Sequence, residues 1–223
     1  MTFSDTAQIS TLTYERHFLS HDVRHIAGVD EVGRGALAGP LMAAAVVLPS
    51  LEEIGRDATF WNAVRDSKTI TMKRRGELAK GIMERACDWS IAAVPPEELD
   101  SLGVGPANRI AMERAVYGLS DEPGLLLIDA MTLDCDTPQV GIIDGDALCL
   151  SIAAASIIAK VARDTIMMEH DPEWPVFGFA KHKGYGVKTH LLALSEHGPC
   201  PIHRRSFAPV RLAEERLRVR PRQ

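Results

Sequence analysis

Apolar positions follow two rhythms along the chain, short unbroken runs and helical stripes, and together they predict an alternating α/β architecture. His25 to Val32 is apolar until Asp30-Glu31 and then meets Gly33-Arg34-Gly35, so it reads as a strand entering a turn. Leu41 to Leu48 (LMAAAVVL) reads as a second, fully buried strand that Pro49 ends. Lys73 to Ala86 places Leu78, Ile82 and Met83 on one helical face, and Trp89 to Val94 reads as a third strand. Pro95-Pro96-Glu97-Glu98 suits the first turn of a short helix, and Pro106 to Leu119 reads as a longer one. Leu125 to Asp129 (LLLID) is a buried strand ending in a carboxylate, and Gln139 to Ile143 is a short strand running into Asp144-Gly145-Asp146. Ser151 to His170 reads as a long helix whose small residues, Ala153 to Ser156, permit close packing. Residues 1–20 read as a short helix or loop, Asp66-Ser67-Lys68 and Gly178 to Gly186 as loops, and Lys188 to His197 and Pro209 to Arg220 as helices. Strands first, then strands alternating with helices, predict an α/β layer fold with a mixed sheet and a C-terminal helical extension.

Composition narrows the class. Of 223 residues, 46% are hydrophobic and 25% charged, a globular balance that excludes a largely disordered chain. The length suits one domain with an ample core. The longest apolar runs are too short to span a bilayer, and the first residues (MTFSDTAQIS) lack the pattern of a secretory leader, so no membrane role and a cytoplasmic location are expected. Cysteines 87, 135, 149 and 200 are scattered with no C-x-x-C pair, which argues for reduced thiols and against a zinc ribbon.

The net charge of −5 hides an asymmetry. Residues 181–223 hold ten Lys or Arg against three Asp or Glu, a surplus of seven, which leaves residues 1–180 with a deficit of twelve. A basic segment can track phosphates while gathered carboxylates hold cations, but an exposed charged helix would show the same asymmetry.

Candidate chemistry begins at Asp30-Glu31. Two adjacent carboxylates ending an apolar strand are costly to desolvate unless something positive sits between them. Neighbours in a regular strand face opposite sides, so both reach one site only if the strand breaks at Glu31 into the glycine turn. Gly33 to Ala38 also fits the dinucleotide-binding spacing G-x-G-x-x-A. Against that reading, the carboxylates would repel a pyrophosphate, and a strand follows where the phosphate-binding helix should start. Asp129 and Asp146 add carboxylates at two more strand ends, an oxygen-rich set that suits Mg²⁺ or Mn²⁺ better than Zn²⁺. No Ser or Cys nucleophile paired with a His stands in comparable context, so acyl-transfer chemistry has no support. Finally, Phe179 to Gly186 (FAKHKGYG) and Pro201 to Phe207 (PIHRRSF) interleave basic residues with rings and glycines. That mixture can contact phosphates while a ring packs on a sugar or base. Most of these phenylalanines read as core; Tyr185, between glycines, does not.

In order and spacing, these segments resemble ribonuclease HII. The matching elements are the D-E-x-G-R-G turn and L-A-G-P segment of Asp30 to Pro40, the D-S-K loop of Asp66 to Lys68, Asp129, and Gly145-Asp146. The A-A-A-S-I-x-A-K-x-x-R-D helix of Ala153 to Asp164, the H-K-G-Y loop of His182 to Tyr185 and the P-I-H-R-x-S-F segment of Pro201 to Phe207 complete the set. The resemblance implies a ribonuclease H-like fold, a mixed five-stranded sheet flanked by helices. It implies one domain over 1–223, with a core of about 24–180 and a basic helical region of about 181–223. It implies cleavage of the RNA strand of RNA–DNA hybrids and cutting at single ribonucleotides in duplex DNA, by a two-metal (Mn²⁺ or Mg²⁺) mechanism leaving 3′-hydroxyl and 5′-phosphate ends.

Residue by residue, the resemblance makes Asp30, Glu31, Asp129 and Asp146 the catalytic metal ligands. Gly33, Arg34 and Gly35 would read a 2′-hydroxyl, and Tyr185, with Lys68 and Lys183, would contact substrate. A monomer is expected, with nucleic acid as partner and no protein partner indicated. Arg34 and the short N-terminus separate the chain from the sister ribonuclease HIII pattern. An inactive hybrid-binding domain of the same fold is the rival, and the full carboxylate set argues against it. Two positions depart from the family: Asp144 stands where Lys is common before Gly-Asp, and Ala130 where Gly is common after the third carboxylate.

Overall fold

The computed structural model describes residues 11–19, 23–65 and 70–219; the readings made for residues 1–10, for Asp66-Ser67-Lys68 and for Arg220 lie outside them. In chain order the elements are α1 (Thr13–Leu19), β1 (Ile26–Val32), β2 (Leu41–Val47), α2 (Leu51–Arg56), α3 (Ala58–Trp61), α4 (Met72–Arg85), β3 (Asp88–Val94) and α5 (Pro96–Leu102). They continue with α6 (Val104–Tyr117), β4 (Leu125–Asp129), β5 (Gln139–Ile142), α7 (Gly145–Leu148), α8 (Leu150–Glu169), α9 (Phe179–His182), α10 (Lys188–His197) and α11 (Ala208–Val219). All five strands expected from the apolar runs are present, and they form one mixed sheet, flanked by helices, in the order β3-β2-β1-β4-β5. No helix among the described residues is long and apolar enough to cross a membrane.

The chain divides into two compact units. The first gathers Met1–Glu31, Ala43–Ala92 and Met112–Val161. Strands β1 and β4 run parallel there with Val29 opposite Ile128, and β4 runs parallel to β5. Every residue of β2 is buried, as are Leu125 to Ile128 of β4. Strands covered on both faces need no polar alternation, which is why they read as continuous apolar runs. A Cβ on Gly28 would stand 2.1 Å from the carbonyl carbon of Ser151, so only glycine lets β1 lie against the backbone that opens α8. At that opening the buried Glu15 carboxylate accepts from the Ser151 N–H (2.8 Å) and the Cys149 thiol (3.1 Å), placing negative charge at the helix N-terminus. Helix α2 was not expected from the apolar pattern. It starts at a capping box, where Ser50 Oγ accepts from the Glu53 N–H (3.3 Å) and the Glu53 carboxylate accepts from the Ser50 N–H (3.0 Å).

The second unit gathers Val32–Met42, Ala93–Ala111 and Ala162–Gln223. Its core joins Leu37, Met167, Phe177, Phe179, Leu194 and Val210. The segment after the glycine turn is held on both sides by backbone. Leu37 N–H donates to Gly184 O (2.8 Å), Gly39 N–H to Ile202 O (2.8 Å), and Arg204 N–H to Leu37 O (2.9 Å). The loop expected over Gly178 to Gly186 contains one helical turn, α9.

Candidate active site

Parallel pairing brings the carboxylates together. Asp30 and Asp129 each follow a residue of the matched pair Val29–Ile128, so they leave neighbouring strands at the same end. One carboxylate oxygen from each of Asp30, Glu31 and Asp129 lies within 4.8 Å of the others. A strand break at Glu31 proves unnecessary, because β1 continues to Val32. Asp30 folds back so that its Oδ1 accepts from the Glu31 N–H (2.7 Å), and the longer Glu31 side chain meets it. Asp129 Oδ1 accepts from the Gly145 N–H (2.8 Å).

Electrostatically this is a crowded place. Asp30 is 5% exposed. Burial raises its carboxyl well above the usual carboxylate range; the charge of Glu31 raises it further, with smaller contributions from Asp129 and Asp146, and a hydrogen bond with Ser156 opposes the shift. Asp146 is buried in the first turn of α7, close enough to act on Asp30 but outside the group of three. Like charges held together in a site of hard oxygen donors fit a divalent cation, which would neutralise what now repels.

The strand expected over Gln139 to Ile143 ends at Ile142, and Asp144 is exposed in the left-handed region (φ 55°), immediately before α7. The alternation rule does not apply across such a residue.

The turn and basic loop belong to the second unit. Gly33 has φ 88°, and a Cβ there would stand 2.1 Å from Arg163 Nε. Arg34 and Gly35 are exposed. Fully buried Arg163 donates to the carbonyls of Pro40 (2.9 Å), Lys183 (2.9 Å) and Ala38 (3.0 Å). Fully buried Arg204 donates to those of Gly39 (3.0 Å) and Arg34 (3.1 Å). The composition of the Pro201 to Phe207 segment suggested phosphate contacts, but Arg204 is spent on backbone. Lys183 is buried as well, its ammonium donating to Ala180 O. Tyr185 is half-buried with the Arg163 guanidinium 5.3 Å from its ring centre. Phe177 and Phe179 are core, as expected; Lys68 lies outside the described residues. The sequence reading quoted Ser156, Arg163 and His203 only as motif residues without a chemical role and passed over His190, although an arginine inside the apolar face of a long helix was a usable signal.

The family model described as Ribonuclease HII matches residues 27–210. The chain belongs to the ribonuclease HII family. It is 48% identical over 200 residues to the ribonuclease HII of Desulfitobacterium hafniense, covering 89% of this chain and 74% of that one. Among solved structures, the ribonuclease H2 of Pyrococcus horikoshii superposes with a TM-score of 0.76 at 27% identity, over 87% of this chain and 99% of that one. Bst-RNase HIII, in a crystal structure with Mn²⁺, shares the fold at a TM-score of 0.61 and 18% identity, over 88% of this chain and 71% of that one. As a ribonuclease HII the chain is a type 2 ribonuclease H, an endonuclease acting on RNA–DNA hybrids. Within this ribonuclease HII, the three-carboxylate group stands where the parallel strands end, and an acidic group on this fold can hold a metal.

Proposed function

We propose that the chain cuts the RNA strand of hybrids and also nicks duplex DNA at single embedded ribonucleotides, leaving 3′-hydroxyl and 5′-phosphate ends. The observation that carries this reading is the convergence of Asp30, Glu31 and Asp129 oxygens within 4.8 Å. Those three, with Asp146, would hold two divalent cations, Mg²⁺ or Mn²⁺; the Mn²⁺ in Bst-RNase HIII supports the class of ion. When bound, such cations activate water and neutralise charge on the departing 3′ oxygen. The chain's own contribution is to fix the carboxylates before substrate arrives: Glu31 N–H and Gly145 N–H orient Asp30 and Asp129. Burial of Asp30 keeps bulk water from screening the field.

Substrate discrimination falls to the second unit. The Gly33-Arg34-Gly35 turn would read the 2′-hydroxyl, the atom that separates RNA from DNA. The Tyr185 ring would pack on the deoxyribose across the junction. The test is cleavage of a duplex carrying one ribonucleotide, with Mg²⁺ or Mn²⁺ and then with EDTA. Nicking at the ribonucleotide, abolished by EDTA, is expected. Cleavage of continuous hybrids with no nicking at the single ribonucleotide would overturn the finer reading.

A further inference from the structure

Three histidines lie behind Tyr185. His190 is fully buried and His203 is 1% exposed. The rings of His182 and His190 stack with centres 4.5 Å apart, and those of His190 and His203 are 5.2 Å apart. Backbone groups decide where each proton sits. His190 Nδ1 is 3.0 Å from Tyr185 O, and a carbonyl only accepts, so Nδ1 carries the hydrogen. His190 Nε2 is then bare, and His203 Nε2, 3.0 Å away, must donate to it. His203 Nδ1 is left as an acceptor, and the Cys200 N–H supplies its hydrogen bond at 3.0 Å. By the same logic His182 carries its proton on Nε2, facing Phe177 O (2.8 Å), while its Nδ1 accepts from the Gly184 N–H (3.2 Å). Each ring holds one proton at a dictated atom. The neutral array ties Phe177, Gly184 and Tyr185 to α10 and to the Cys200–His203 turn.

We propose that His182, His190 and His203 form a positioning relay that fixes the Tyr185 loop and thereby sets the preference for a ribonucleotide–deoxyribonucleotide junction over a continuous hybrid. This rests on the deoxyribose reading of Tyr185. The Tyr185 carbonyl accepts from both His190 Nδ1 and the Val187 N–H (2.8 Å), so removing the histidine loosens the loop without releasing it. His190 and His203 are buried away from solvent. They act through the backbone that carries the ring.

Two variants separate positioning from packing. His190→Phe keeps a ring and removes both hydrogen-bonding atoms. His190→Asn keeps a donor near the Nδ1 position but leaves a void, so it is the less stable of the two. The measurement is the ratio of kcat/KM on a duplex with one ribonucleotide to that on a continuous hybrid, in full-length protein with Mg²⁺. His190→Phe is expected to lower the ratio about 3- to 10-fold, the range one hydrogen bond supports. His190→Asn should restore most of it in spite of its lower stability. If Tyr185→Ala lowers the ratio and His190→Phe does not, or if Asn does no better than Phe, the relay is overturned while the Tyr185 reading stands. If Tyr185→Ala leaves the ratio unchanged, the Tyr185 reading fails and the proposal with it. Long-range ¹H–¹⁵N spectra of the unmodified protein test the relay without any variant. Near neutral pH they should show His190 as the Nδ1–H tautomer and His182 and His203 as Nε2–H, and any other assignment overturns the proton arrangement.

Discussion

The two units bury charge in opposite ways. In the first, Asp30 is surrounded by like charges, and hydrogen bonds from Glu31 N–H and Ser156 oppose the repulsion. In the second, Arg163 and Arg204 are buried just as deeply, but five backbone carbonyls accept from them. Buried like charges crowded together favour a cation, whereas buried guanidiniums tied to backbone carbonyls act as structural struts. The contrast separates chemistry from positioning, and it can be broken by exchanging the kind of group at each place.

The largest effect is expected at the acidic group. Asp30→Asn keeps an oxygen for the Glu31 N–H but removes a ligand charge. Cleavage should fall by about three orders of magnitude or more, as the loss of several kcal/mol of metal-supplied stabilisation implies. Metal-free stability should rise, because one repelling carboxylate is gone. Thermal melts with Mn²⁺ give the second readout. Unmodified protein should gain about 2.7 kcal/mol at a hundredfold excess over Kd, and Asp30→Asn much less. Near-normal turnover in the variant would remove Asp30 from the site.

Next is Arg163→Met, which leaves the carbonyls of Ala38, Pro40 and Lys183 without that donor. Denaturant unfolding should show a loss of about 3 kcal/mol or more, since each buried acceptor left unsatisfied costs about 1–3 kcal/mol. Arg163→Lys should fall between, since a single ammonium cannot meet three carbonyls in fixed directions. A loss below about 1 kcal/mol for Met would mean the strut carries little.

These expectations also show what could be read from sequence. The five strands, the long helix and the carboxylates at strand ends were legible because apolar runs and their terminating residues are local signals. Convergence of Asp30 with Glu31 was not, since it depends on Asp30 turning back onto its own neighbour. The structural role of Arg204 was not legible for a similar reason: a basic residue beside an aromatic looks the same whether it meets a phosphate or, as here, the carbonyls of Gly39 and Arg34. The second unit itself joins three separated stretches, and the basic shift after residue 180 marks only the last of them. Departures from simple periodicity concentrate at Asp144 and Ala130, where φ turns positive and alternation fails.

Acid should act on the two regions with opposite sign. Burial lowers His190, and burial together with His190 pushes His203 down to about 3. His182, Cys200 and Arg205 also act on His203. The folded protein thus keeps both rings neutral while the unfolded chain protonates them near pH ~6.5, so stability falls as pH drops below that value. For His203 the slope approaches about 1.4 kcal/mol per pH unit. Asp30, raised in the fold, contributes the reverse: its share of stability is complete below the ordinary carboxylate range and is lost as pH rises through its folded value. Melts of metal-free protein from pH 7 to pH 5 should therefore be flatter for the double variant His190→Phe/His203→Phe than for the unmodified chain. Equal slopes would show that the pair titrates normally.

The smallest effect tests the strand end beside the third carboxylate. Ala130 has φ 55°, in the left-handed region, and its N–H donates to Ile142 O (2.9 Å), so the hydrogen bond holds the residue where an L side chain is disfavoured. That conformation costs alanine about 1–2 kcal/mol relative to glycine. Glycine gives back part of this through the greater freedom of its unfolded chain, about 0.4–1 kcal/mol. Ala130→Gly should therefore stabilise the protein by about 0.5–1 kcal/mol with turnover unchanged. Ala130 is exposed, so the substitution leaves no void to offset the gain. A drop in stability would mean that the chain after Asp129 relaxes out of the left-handed turn, and the Gly145–Asp129 hydrogen bond would then need another explanation for its geometry.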